Sequence, residues 1–190
     1  MAPLIDIDLP RLERLRAPSS RQKRDATAHR SIDVYLNDHL AGATFGADLA
    51  RQLEARTEGT DFQAEMSRLA TDIEADLEKL TDLMERIGAN RNPAKQIATW
   101  AAEKASRLKL AGVSSGNGEL GTFLSIEALS LGVEGKASLW KTLIELRGDY
   151  AELASTDLDE LLHRAQHQRQ VLETERTAAA RRSLVAAKET

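Results

Sequence analysis

The sequence predicts an all-α fold, and three observations carry that prediction. Only 4% of the 190 residues are aromatic and only 4 are Pro, a composition that favours helices over a sandwich or a barrel. Apolar residues recur at steps of three and four through several long stretches, the period of a helix with one buried face. No strand-like alternation, no hairpin signal and no repeat of about 20 to 50 residues accompanies them, so neither a sheet protein nor a solenoid is expected. With 42% apolar and 29% charged residues, the chain has enough material to bury a core in one domain, with or without a tail.

Residues 1–30 differ from the rest. Pro3, Pro10, Pro18, Ser19 and Ser20 punctuate a segment rich in Arg21, Lys23, Arg24 and Arg30, which reads as a mobile arm; Leu9, Leu12 and Leu15 give it at most a short amphipathic turn. The helical domain is expected over 31–190. Its first helix is predicted from near Ser31, which with Asp33 can cap it, to about Thr57, with Gly59 as the stop. Leu36, Leu40, Ala43, Ala47, Ala50 and Leu53 form its stripe, and Ala41, Gly42 and Gly46 suggest a face that lets a neighbour approach closely.

Thr60 and Asp61 open a second helix with the cleanest period in the chain: Phe62, Met66, Leu69, Ile73, Leu77, Leu80, Met84 and Ile87, before Gly88. Asn92 and Pro93 give a cap and a first-turn proline for a short third segment through Ile97, Trp100 and Leu108, followed by the flexible connection GVSSGNG from Gly112 to Gly118. A fourth helix is expected from near Glu119 to about Leu146, with Gly132 and Gly135 as a bend. Ser155, Thr156 and Asp157 precede a last long helix through Leu158, Leu161, Ala165 and Leu172. The economical architecture is an antiparallel four-helix bundle of two hairpins, with a short extra helix in the long crossover from Pro93 to Gly118.

Several function classes fall away. A formal charge of −4 gives no general attraction to phosphate, so no nucleic-acid partner is expected. Zero Cys excludes disulfides, thiolate metal sites and cysteine nucleophiles, and it suits a cytoplasmic location. Met1 to Leu9 carries Asp6 and Asp8 rather than a secretory signal, and Glu127 interrupts the most apolar stretch, Leu120 to Val133, so no membrane association is expected.

Four-helix bundles build metal sites from inward carboxylates and His, including Glu-x-x-His pairs on two helices. Glu160 and His163 have that spacing, and His167 follows one turn on, whereas the second helix has no His. Glu127 lies between Ile126 and Ala128 and must be paired, coordinated or turned outward; Lys104, Arg107 and Lys136 are candidate ion-pair partners. His39 is a candidate neighbour for it. Metal candidates are therefore Glu127, Glu160, His163 and His39, with iron or manganese as the alternative to no cofactor at all. No catalytic residues are assigned: Ser114 and Ser115 have no His and acid nearby in sequence, and the glycine-rich loop lacks the ending of a phosphate loop. Trp100 and Trp140 are expected to anchor the core.

The stretches Tyr35-Leu36-Asn37-Asp38-His39-Leu40-Ala41-Gly42-Ala43 and Leu131-Gly132-Val133-Glu134-Gly135-Lys136, with the helix order and long crossover, resemble an uncharacterised bacterial group with a ferritin-like fold, over about residues 31–185. In classical di-iron members this resemblance implies oxygen or iron chemistry, and only Glu127, Glu160 and His163 match the ligand types. The leading expectation is thus a non-enzymatic ferritin-like bundle acting through self-association or a protein partner. The alternative is a degenerate metal site for storage or redox chemistry, and a third reading is a small-ligand pocket lined by Ala43, Gly46 and Trp140.

Overall fold

Local rules set where each helix begins and ends, and the computed structural model describes residues 20–90 and 118–185, with the side chains of 21–26 outside the description. All the regular structure in those residues is helical: α1 spans Ser20–Arg56, α2 Gln63–Ile87, α3 Glu119–Glu145 and α4 Leu158–Leu184, with 3-10 turns at Leu146–Gly148 and Ala151–Ser155 between α3 and α4. The predicted all-α class holds. The expected third segment from Asn92, its Trp100 and the glycine-rich loop up to Asn117 lie outside the described residues, as does 1–19 of the expected arm.

α1 starts earlier than the capping signal suggested. Ser31 does not cap it; inside the helix its Oγ donates to the Thr27 carbonyl at 3.0 Å. Residues such as Gln22, Lys23 and Arg24 are good helix formers, so the helix extends back through Ser31 to Ser20. α2 follows its period closely: Met66, Leu69, Ile73, Leu80, Met84 and Ile87 are buried. Gly88 ends it in the left-handed region at φ 73, with its own N–H bonded to Glu85 O at 3.1 Å and that of Ala89 to Met84 O at 2.9 Å. α3 runs unbroken through Gly132 and Gly135, so these glycines do not interrupt the helix. Asp157 caps α4 as its sequence position implied, accepting the Glu160 N–H at 3.0 Å.

Side-chain pairs reveal the packing. α1 packs on α2 and on α3, α3 packs extensively on α4, and α2 meets α4 over a thinner seam. Glu119, Glu127 and Glu134 along α3 bind Arg182, Arg176 and Arg169 respectively, partners that step down α4 as they step up α3, so the two helices are antiparallel. Arg56 near the end of α1 donates to Ser125 near the start of α3 at 3.1 Å, which makes that pair antiparallel too. Arg86 at the end of α2 reaches Ser155 and Thr156 just before α4. Each helix is therefore antiparallel to its neighbours, and the long connection 91–117 joins two helices that run the same way, α2 and α3.

Candidate functional site

The sequence-selected metal residues are spread over the molecule. Glu127 pairs with Arg176 at 3.1 Å, an ion pair of the expected kind; of the three expected partners Lys136 bonds Asp76 instead, and Lys104 and Arg107 lie outside the described residues. Glu160 and His163 are exposed on the first turns of α4. Glu160 and Arg176 are separated by sixteen positions of one helix, about 24 Å at a rise of ~1.5 Å per residue, so Glu127 and Glu160 sit near opposite ends of the α3–α4 pair. His39 is half-buried on α1, its ring edge-on to Tyr35 with centroids 4.6 Å apart. Among the described residues no group of three or more His, Asp or Glu is placed to hold a metal ion.

What the helices do bring together is a polar cluster inside the core. Asp76 on α2 has only 1% of its side chain exposed. Its carboxylate accepts from Lys136 of α3 and from Arg164 and Gln168 of α4, the last at 3.1 Å, while Lys136 Nζ also donates to Gln168 Oε1 at 2.6 Å. A carboxylate this deep needs such partners, because an unpaired charge is expelled from apolar surroundings. Burial pushes the Lys136 ammonium below its ordinary pKa, with the Asp76 charge and hydrogen bond acting against that shift.

Three of the cluster's four members occupy a place where the apolar stripe calls for a hydrocarbon. Asp76 stands three after Ile73 and four before Leu80; Lys136 has the same relation to Val133 and Trp140, and Gln168 to Ala165 and Leu172. All six flanking residues are buried. The signal for Asp76 in the sequence is this position in the apolar stripe of the second helix.

Beside this cluster lies a cavity of about 410 Å³. Among the described residues its wall comes from α1, α2 and α3: Leu49, Ile73, Leu80, Val133, Leu139 and Trp140 lie deep, and Asp38, Leu131 and Gly132 are exposed at the rim. Asp76 and Lys136 supply its polar corner, and His39 also borders it. Burial lowers the pKa of His39 against the opposing effect of Asp38, so the ring favours its neutral form there.

At Gly46 the small-residue face of α1 works differently from the expectation of close approach, and the α3 glycines behave alike. Gly46, Gly132 and Gly135 line the cavity, and a Cβ built on any of them would meet no heavy atom within 4 Å. No neighbour presses on these glycines; they leave space. Ala43, Gly46 and Trp140, the residues of the pocket reading, do lie on one wall system, and Trp140 is buried as a core anchor with its indole Nε1–H lacking an acceptor among the described residues.

No helix among the described residues is long and apolar enough to cross a membrane. Compared with protein-family models, curated proteins and solved structures, the chain matches none.

Proposed function

We propose that this chain is a ferritin-like four-helix bundle that binds a small, largely apolar molecule between α1, α2 and α3. The antiparallel neighbours and the connection between parallel helices support the architecture. The observation that carries the binding reading is the cavity: about 410 Å³, walled by buried apolar side chains, open at one rim and furnished with one polar corner. That size and make-up are those of small-molecule sites, commonly about 300–1,000 Å³. Its glycines strengthen the case, since each mid-helix Gly costs about 1 kcal/mol relative to Ala, and no close packing at Gly46 requires one.

Isothermal titration with decanol, a neutral ligand with a straight apolar tail, tests this reading. Saturable binding to the native chain, lost in Gly46→Leu while that variant keeps its helix content and melting temperature, is the expected result. Binding unaffected by filling the cavity, or no binding at all, overturns it.

A second reading, self-association, has its own support. Leu131 is 71% exposed beside the cavity rim, on the helix face next to Gly132 and Ala128. Sedimentation measurements on Leu131→Lys test it: a native oligomer that the substitution dissociates supports association through this face, and a native monomer refutes it.

A further inference from the structure

Resting on the pocket reading, the geometry points to a more specific ligand: a monocarboxylate with an apolar tail, its carboxylate received by Lys136 and Trp140 and its tail lying along α1. Lys136 and Trp140 stand four residues apart on α3, so both face the same way, with about 5–6 Å between their Cβ atoms. Both line the cavity.

Both also have a donor to spare. The Trp140 side chain is 99% buried, as its exposure is 1%, and its Nε1–H has no partner among the described residues. Lys136 bonds Asp76 and Gln168, which use two of the three N–H groups of an ammonium. A buried donor without an acceptor is costly, and a ligand oxygen held in the cavity would supply that acceptor. Two adjacent donors suit a group with two acceptor oxygens.

Charge separates a carboxylate from an alcohol or an amine. The cluster holds two cations, buried Lys136 and half-buried Arg164, against one buried carboxylate, and both oxygens of Asp76 are already engaged. It therefore carries one positive charge more than it neutralises. The opposing acids are Asp72, close enough to act on Lys136 but half-exposed, and Asp38 at the rim; both are open to solvent and weakened by it. An anionic head is favoured at the corner, while a cationic head would meet Lys136 directly.

The experiment compares three ligands with the same tail, decanoate, decanol and decylamine, by isothermal titration below their micelle-forming concentrations. Decanoate is expected to bind at least about tenfold more tightly than decylamine, the scale of one charge-assisted hydrogen bond, with decanol between them. Lys136→Met is expected to cost decanoate about tenfold and leave decanol within about twofold. Trp140→Phe, which removes the N–H together with the five-membered ring of the indole, is expected to weaken decanoate more than decanol, by less than Lys136→Met does, and it serves if Lys136→Met does not fold. Decanol binding without preference for decanoate overturns the head-group assignment and leaves the pocket standing. If none of the three binds, the pocket reading falls and the assignment falls with it.

Discussion

His39 illustrates how one residue reads its surroundings. Its pKa is lowered from 6.5 by burial, so the folded chain resists protonating it while the unfolded chain does not. Below the unfolded value the unfolded state binds more protons, and folding stability contributed by this group is present above that pH and lost as pH falls through the lower folded value. Urea midpoints measured between pH 7 and 5 should therefore decline for the native chain, and the decline should be shallower in His39→Gln; identical slopes would contradict the assignment. At the same scale, legibility from sequence was uneven. Glu127 was readable as a residue in need of a partner, but Arg176 lies 49 positions away on another helix, and spacing within one helix cannot name it. Asp76, Lys136 and Gln168 each left a trace, a polar residue in an apolar stripe, yet their meeting depends on three helices packing in one register.

At the scale of the element, the chain's punctuation decided most boundaries. α2 was legible almost residue by residue, because a strict apolar period and a glycine in the left-handed conformation agree. Gly88→Ala places a Cβ on a φ of 73 and should cost about 1–2 kcal/mol in chemical denaturation, whereas the same change at Gly46, where φ is helical and space is open, should not destabilise. Equal destabilisation at both sites would show that the two glycines do not differ in this way. The start of α1 was not legible, since a Ser that can cap a helix can equally sit inside one and bond back to the preceding turn, as Ser31 does with Thr27. Nor was the face of α3 at Leu131: an apolar residue in a stripe-rich helix reads as core, and only the placement of its neighbours leaves it exposed.

Over the whole molecule, the seams between helices are unequal in kind. Charged pairs run along the α3–α4 contact, such as Glu134 with Arg169 and Glu119 with Arg182, and they are exposed and contribute modestly. The thinner α2–α4 seam instead depends on the buried carboxylate of Asp76, while Arg86 ties the end of α2 to the turn before α4. Asp76→Ala leaves Lys136 without its counter-charge in the core and should cost about 3–5 kcal/mol, most of it insensitive to added salt. A loss below about 1 kcal/mol would mean that water already reaches the cluster. The cavity was legible only in part, through Ala43, Gly46 and Trp140; its extent was not, because empty space is defined by side chains that are missing from three helices at once. The Asp76 cluster has a consequence for the order of folding as well. Its members stand on both sides of the 91–117 connection, so it can close only after the two helical hairpins have docked, and in any other docking register Asp76 would face hydrocarbon. It thus works as a lock set late: loss of Asp76 should raise the unfolding rate far more than it slows folding, and mispaired helix packings should be discarded by the charge they strand.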